Sequence, residues 1–183
     1  MSLPLAAGEW TMDPVHSNVA FAARHLGIST LRGRFGAASA TLTVGDSIDD
    51  SSLTAEIDLS SVDTGNADRD GHLQSTDFFS VETQPKMRFA STSIEELGDN
   101  RYRVNGTLTL NGQSNKESLE TTFFGTERNP LDGSTRAGFE AVGRIDRTAY
   151  GITWNVPLEA GGVMLSNEID ITLNTQLVGP VEA

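Results

Sequence analysis

Apolar and polar residues alternate along most of this chain with a period of two, which is the period of a β-strand. The alternation is clearest in five segments, which cover residues 19–25, 53–59, 102–110, 139–146 and 169–177. Weaker alternation continues through residues 30–44, 86–94 and 116–126. The pattern therefore predicts eight strands, each with one apolar face and one polar face.

Short segments rich in Gly, Asn and Asp separate most of these strands, at residues 45–50, 98–100, 111–115 and 129–134. Strands that are apolar on one face and joined by short turns are typical of an antiparallel sheet. Eight such strands can close into a barrel, which removes the exposed sheet edges. Because the chain contains no repeat or linker, we expect one domain over residues 1–183 with its core at about 10–178.

One stretch, residues 65–81, does not alternate and is predicted to be a helical insertion between strands. Asp68 and Asp70 would lie near the start of a short helix, where carboxylates are favoured. Ser75 could then cap a second turn that leads into the Phe78–Phe79 pair. A smaller helical turn is expected at residues 148–152.

Arg69 lies between Asp68 and Asp70, which suggests an ion-pair cluster inside the insertion. A guanidinium group can bind a carboxylate through two parallel hydrogen bonds, and such a pair would fix the insertion in place. Phe78 and Phe79 follow this polar stretch, so we expect the helix to carry both rings inward against the sheet.

The predicted inward faces mix large aromatic side chains with many Gly and Ala residues. A barrel of eight strands is either filled by its own side chains or holds one ligand. Small inward residues would leave volume that a long apolar ligand could fill, but Gly and Ala also ease the curvature of a barrel. The pattern leaves both interpretations open.

Composition excludes several classes of function. The 183 residues include 13 basic and 25 acidic side chains, and the net charge of −12 argues against nucleic-acid binding. This charge also disfavours simple electrostatic docking on an anionic membrane, and no segment approaches the roughly 20 apolar residues of a membrane helix. We therefore expect no stable membrane insertion. Residues 1–8 lack the basic and apolar regions of a signal peptide, so we expect a cytoplasmic protein.

The chain has no cysteine and three histidines, His16, His25 and His72. Three His side chains could bind zinc, but their separations of nine and 47 residues match no short metal signature. We predict no metal and no cofactor. The histidines could instead hold loops by hydrogen bonds or contact the polar head of a ligand. A role as general base lacks a partner nucleophile, because there is no cysteine and no serine in an elbow motif.

Several segments together resemble the YceI-like family, in this order along the chain: DPVHS (13–17), RHLGISTLRGRF (24–35), SVDTGNADRDGHLQSTDFF (61–79), QPKMRFAST (84–92) and GFEAVGRIDRTAYGI (138–152). The resemblance extends from about residue 10 to residue 177. It implies an all-β fold, an eight-stranded antiparallel lipocalin-like extended barrel with a short helical insertion. It also implies a long hydrophobic channel, no established catalytic activity and, in several members, a homodimer.

From this resemblance we expect the protein to bind, store or transport a long-chain isoprenoid, quinone-like or fatty-amide lipid without catalysis. The alternative is a hydrolase or isomerase that acts on such a lipid through its histidines. The expected ligand-binding residues are the inward apolar side chains, one histidine and the two rings of the insertion, which would gate the barrel: Phe21, His25, Phe35, Phe78, Phe79, Phe89, Leu108, Phe123, Phe139, Ile171 and Leu173.

Overall fold

The computed structural model describes residues 2–180, which form a closed eight-stranded antiparallel barrel with one short α-helix. The strand segments are β1 (Gly8–Met12), β2 (Asn18–His25), β3 (Ser29–Phe35), β4 (Ala38–Val44), β5 (Ser52–Asp58), β6 (Val62–Asp63), β7 (Lys86–Gly98), β8 (Arg101–Leu110), β9 (Gln113–Arg128), β10 (Thr135–Asp146) and β11 (Leu165–Val178). The helix, α1, covers Ala67–Gln74. None of the helices within residues 2–180 has the length and apolar character needed to span a membrane.

The eleven segments make only eight barrel strands because three of the strands are interrupted. Strands β1 and β2 both pair with β11, and they continue into one another around a bend at residues 13–17. Segments β3 and β4 likewise form one interrupted barrel strand, in which β4 pairs with β1 and β3 pairs with β2. Segments β5 and β6 form the third, in which the short β6 pairs with β3. The barrel closes where Thr11 and Met12 pair with Val178 and Leu177.

The prediction of an all-β antiparallel barrel with eight strands and a helical insertion is confirmed. Two details were wrong. Residues 30–44 do not form one strand, because Gly36 and Ala37 interrupt it, and Gly36 N donates to the carbonyl of Ser61 at 3.0 Å. Strand β1 was not predicted, because five residues around one tryptophan carry too little alternation to be detected.

The barrel has two unlike ends. At the end that we call the Trp10 end, strand β1 begins and the β7–β8 and β9–β10 hairpins turn. A cluster of buried apolar residues closes this end around Trp10, which is 1% exposed. The indole Nε1 of Trp10 donates to the carbonyl of Ala6 at 2.9 Å, so the N-terminal segment is tied to the base of the barrel.

At the opposite end, which we call the insertion end, residues 64–85 leave the sheet and cover the opening. Helix α1 begins where the side chain of Asn66 accepts from Arg69 N, and it ends at Ser75. Phe78 N then donates to the carbonyl of Ser75 at 3.1 Å, so the expected second turn is present, although it is not helical. A second cluster of buried residues lies beneath this cover and includes Leu59 and Phe78.

Candidate binding cavity

A cavity of about 610 Å³ lies inside the barrel, between the two hydrophobic clusters. Side chains from all eight barrel strands and from the insertion line it, and most of those side chains are apolar. Pockets that hold small ligands begin at roughly 300 Å³. The interior is therefore an open chamber, and the interpretation of a barrel filled by its own side chains is wrong.

The structure places every predicted ligand-binding residue on the wall of this cavity. The aromatic side chains also form two groups, one near each end. The Phe21 and Phe35 rings lie 5.4 Å apart toward the insertion end, and the Phe123 and Phe139 rings lie 5.2 Å apart toward the Trp10 end. The full set on the wall comprises Phe21, His25, Phe35, Phe78, Phe79, Phe89, Leu108, Phe123, Phe139, Ile171 and Leu173.

Two glycines determine how the inward phenylalanines lie. A Cβ atom at Gly33 would be 2.4 Å from Cζ of Phe21, and one at Gly106 would be 2.3 Å from Cζ of Phe89. Each ring therefore rests on the bare backbone of a neighbouring strand and lies along the wall. The sequence suggested that small inward residues leave empty space where they stand. At these two positions the space is filled by a ring, and the centre of the barrel stays open.

Polar side chains reach the cavity mainly at the insertion end, where His25, Asp68, Arg69 and His72 line it. Arg32 is exposed at the rim, and it lines the cavity there as well. A ligand with an apolar tail and one polar group would therefore find hydrogen-bonding partners at this end.

Arg69 does not form the predicted ion pairs with Asp68 and Asp70. Its Nε donates to Thr64 Oγ1 at 2.7 Å, and its Nη2 donates to the Thr64 carbonyl at 2.9 Å. Asp70 Oδ1 accepts from Thr64 N at 2.9 Å and from Thr64 Oγ1 at 2.6 Å. Arg69 and Asp70 thus both hold Thr64, the residue that connects β6 to the insertion. No pattern in the sequence indicated that one threonine would bind both charged groups.

His72 connects the insertion to the rest of the rim. Its Nε2 lies 2.8 Å from Asp77 Oδ2, a hydrogen bond of the kind by which the histidines were expected to hold loops. Its ring also meets the rings of Phe78 and Trp154 edge-on, with centroids 5.0 Å and 4.8 Å apart. Trp154 belongs to the long β10–β11 loop, and the sequence did not indicate that it would contact the insertion.

Arg147 holds this loop in position from inside the protein, where it is 3% exposed. Its Nη1 donates to the carbonyls of Ile152 and Trp154 at 2.8 Å and 2.9 Å, and its Nε donates to the carbonyl of Ser166 at 2.9 Å. Burial lowers the pKa of Arg147, and the nearby Asp146 carboxylate partly opposes this effect. The residue lies in a 3-10 turn at Arg147–Tyr150, close to the small turn expected at residues 148–152.

Tyr150, at the end of that turn, is fully buried and donates from its hydroxyl to Glu117 Oε1 at 2.6 Å. Burial, together with this hydrogen bond, raises the pKa of Tyr150 above its ordinary value. Glu117 itself lines the cavity. Its carboxylate therefore has a fixed partner and is not free to meet a ligand without breaking that bond.

The three histidines are not gathered into one site. His16 lies exposed at the bend between β1 and β2, where its Nδ1 is 2.8 Å from Asp13 Oδ2, and it is not on the cavity wall. Only His25 and His72 reach the cavity. Across residues 2–180 we find no cluster of three or more His, Cys, Asp or Glu side chains suited to hold a metal ion.

A closed eight-stranded antiparallel barrel with an apolar chamber and a partly polar mouth is a lipocalin-like barrel. The family model of the YceI-like domain matches residues 10–177, and the chain belongs to this family. Among curated proteins, a UPF0312 protein of Staphylococcus epidermidis is 40% identical over 163 residues, covering 88% of this chain and 92% of its own. A UPF0312 protein of Staphylococcus aureus is 39% identical over 162 residues, covering 87% of this chain and 91% of its own.

Three solved structures are similar in fold. BcnA of Burkholderia cenocepacia superposes with a TM-score of 0.76 at 22% identity, covering 90% of this chain and 98% of its own. The YceI protein of Campylobacter jejuni superposes with a TM-score of 0.69 at 26% identity, covering 86% of this chain and 90% of its own. A polyisoprenoid-binding domain of Saccharophagus degradans, implicated in plant cell wall breakdown, superposes with a TM-score of 0.66 at 17% identity. It covers 93% of this chain and 98% of its own.

Proposed function

We propose that the protein binds a long-chain isoprenoid or similar lipid in its barrel cavity, and stores or carries it without chemical change. The observation that supports this most directly is the apolar chamber of about 610 Å³. Burial of apolar surface contributes about 0.8 kcal/mol per methylene group, so ten buried methylenes contribute about 8 kcal/mol before the loss of freedom is subtracted. Such a chamber can retain a long tail with few polar contacts.

The polar groups at the insertion end support a fixed orientation of the lipid. The tail would point toward the Trp10 end, where the wall is apolar, and the head would lie near His25, Arg69 and His72. An isoprenoid alcohol, a quinone-like ring or a fatty amide each offers one compact polar group on a long apolar chain. The structural neighbour described as a polyisoprenoid-binding domain supports the isoprenoid class at the level of fold.

The decisive experiment is native mass spectrometry of protein purified from its own host, followed by solvent extraction and mass analysis of the bound molecule. We expect one intact long-chain lipid per barrel. A hydrolase or isomerase would instead carry a product, or would convert added lipid during incubation. A protein that never retains lipid, including after incubation with prenyl alcohols and quinones, would contradict the proposal.

Two neighbouring positions on β10 provide a matched pair of variants. Ala141 faces the cavity, and the next residue, Val142, faces outward and is exposed. Ala141→Phe should fill part of the chamber and reduce the amount of retained lipid. Val142→Phe adds a ring of the same kind to the same strand and should leave lipid retention unchanged. Equal losses in both variants would point to damage to the fold and not to a filled chamber.

A further inference from the structure

The hairpin between β2 and β3 carries two exposed apolar side chains beside the mouth of the cavity. These are Leu26 and Ile28, and Ile28 is 81% exposed. The hairpin belongs to the rim of the mouth, because His25 on one strand and Arg32 on the other both line the cavity. Single exposed apolar side chains are common, but several of them grouped on one surface mark an interaction site.

The backbone of this turn makes the leucine more unusual. Leu26 and Gly27 both have positive φ, of 54° and 71°, and Ile28 N donates to the carbonyl of His25 at 3.2 Å. This is a type I′ turn, in which Asn, Asp or Gly is favoured at both central positions. A leucine with left-handed φ is strained, so local stability does not explain its presence.

Two other hairpins of the same barrel make the comparison direct. Their central residues also have positive φ, and they are Asp99–Asn100 between β7 and β8 and Asn111–Gly112 between β8 and β9. Both turns therefore use the residues that the type I′ geometry favours. Only the turn at the cavity mouth, among these three, places a large apolar side chain at a strained position.

The hairpin is also locally basic within an acidic protein. No Asp or Glu occurs between residues 14 and 45, although the chain has 25 acidic residues. Within residues 2–180, Arg24 and Arg32 form no ion pair, whereas Arg34 pairs with Asp63 and Arg144 with Asp170. The tip thus presents apolar side chains between two cations that no carboxylate neutralises.

A second apolar loop lies next to the hairpin and enlarges the surface. Leu26 N donates to the carbonyl of Met164 at 2.7 Å, and Met164 N donates to the carbonyl of Val156 at 2.9 Å. Val156 and Val163 are exposed on this loop. Glu159 is the one acidic residue of residues 155–164. We call the exposed Leu26, Ile28, Val156 and Val163 side chains, together with Arg24 and Arg32, the rim patch.

We propose that the rim patch docks reversibly on an anionic lipid bilayer. The apolar side chains would enter the interface, and the two arginines would contact anionic headgroups. The net charge of −12 opposes this only weakly at physiological salt, because charges more than about 8 Å away are largely screened. Docking would set the cavity mouth against a membrane that supplies or receives the ligand, and in that respect the inference rests on the proposed function.

Vesicle flotation of the full chain tests the docking itself. We expect the protein to float with vesicles of equal parts phosphatidylcholine and phosphatidylglycerol, to bind phosphatidylcholine vesicles less, and to be released by high salt. The variants Leu26→Asn, Ile28→Ser and Arg24→Glu should each lower the vesicle partition coefficient, by about tenfold for Leu26→Asn if that side chain is buried in the bilayer. Leu26→Asn relieves the strained turn, so its melting temperature should not fall.

Matched controls come from the opposite end of the barrel. Leu131 lies in the β9–β10 loop and is 93% exposed, so it is the control for the loss of an apolar side chain. Arg101 forms no ion pair within residues 2–180, so it is the control for the reversal of a charge. Leu131→Asn and Arg101→Glu should leave vesicle binding unchanged. Binding to neither vesicle, or equal losses in the rim and control variants, would overturn the proposal. So would a rim variant that dissociates a dimer in light scattering without changing vesicle binding, because the patch would then join two copies.

Mass analysis of extracted lipid separates this inference from the proposed function. None of Leu26, Ile28 and Arg24 lines the cavity, so the three variants should retain as much lipid as the parent protein. An empty cavity in a protein that still binds vesicles would contradict the carrier function alone. A full cavity in a protein that never binds vesicles would contradict the docking alone.

Discussion

The indole of Trp154 meets the imidazole of His72 edge to face, with ring centroids 4.8 Å apart and ring planes at 88°. One ring comes from the β10–β11 loop and the other from helix α1, so this contact joins the two segments that cover the cavity mouth. Phe78 packs against both rings. A small aromatic cluster therefore joins the two parts of the cover to each other.

Replacing Trp154 with Ala should release the cover while leaving the barrel closed. Aromatic pairs contribute about 0.5–1.5 kcal/mol each, so losing two of them should speed lipid release by about tenfold. Stopped-flow transfer of a fluorescent prenyl lipid to acceptor vesicles measures this rate. Trp154→Phe keeps an aromatic ring and should show a much smaller effect. An unchanged release rate in Trp154→Ala would mean that the cover is not the barrier to exchange.

Thr64 should determine how firmly the insertion is attached, because both Arg69 and Asp70 bind it. Thr64→Val removes one hydrogen bond from each charged group, and we expect the insertion to open more easily by about 2 kcal/mol. Hydrogen exchange at the backbone amides of α1 measures this opening. Arg69→Ala should act in the same direction.

The control for these variants is Arg34→Ala, which removes a nearby arginine from an exposed pair with Asp63. Such pairs contribute little, so exchange at α1 should not change. If Thr64→Val and Arg69→Ala also leave α1 unchanged, the insertion is held by the Phe78 cluster alone.

Tyr150→Phe should destabilise the barrel by about 1–2 kcal/mol, because Glu117 loses the hydroxyl group that it binds. The pKa of Tyr150 is raised in the folded state, so its contribution is complete below the ordinary tyrosine pKa of 10.0 and is lost as the pH rises further. Urea unfolding from pH 7 to pH 11 should show a decline that Tyr150→Phe makes shallower. Tyr102→Phe removes a hydroxyl that forms no hydrogen bond among residues 2–180, so it should cost less stability at pH 7, although burial also raises the pKa of Tyr102 and this variant should likewise make the alkaline decline shallower.

Asp13 should control stability in acid. Its carboxylate binds His16, the backbone N of Val15 and Arg136, and these hydrogen bonds lower its pKa to about 2. The stabilisation is therefore present above the ordinary pKa of 3.8 and is lost as the pH falls from there toward 2. Asp13→Asn should lower the melting temperature at pH 6 and flatten the dependence between pH 4 and pH 2.

The matched control is Asp170→Asn, which breaks an exposed pair with Arg144 whose Nε–Oδ1 distance is 2.7 Å. Because both partners of that pair are more than half exposed, the melting temperature of the Asp170→Asn variant should differ little from that of the parent protein. Similar losses in the two variants would show that the bend at Asp13 has no special importance.

The barrel could be predicted from sequence because its evidence is local. Alternation from Val19 to His25 and from Tyr102 to Leu110 appears within each strand, and the insertion is visible where alternation stops. The contacts that hold the mouth together are not local. Trp154 and His72 are 82 residues apart, and two of the carbonyls that Arg147 binds, those of Ile152 and Trp154, belong to a loop without regular structure. No periodic pattern records such pairs.

The wrong assignment of the Arg69 ion pairs has the same physical origin. Proximity in sequence suggested that Arg69 would pair with Asp68 and Asp70, but within one helical turn those side chains diverge, and Thr64 was closer in space. Arg32 is exposed, and as a long side chain near the end of a strand it also reaches the cavity at the rim.

The Phe21 and Phe89 rings lie against Gly33 and Gly106, so the width of the cavity depends on the absence of a side chain at these two glycines. A methyl group at Gly33 would meet only side-chain atoms, of Phe21 and Thr64, and would push the Phe21 ring toward the lumen, whereas a methyl group at Gly106 would also meet the backbone oxygen of Ala90 on the paired strand. The space available in the chamber thus depends on residues that do not line it. Chain-length preference in a barrel of this construction can diverge by one-residue steps, without any change in topology or in the polar groups at the mouth.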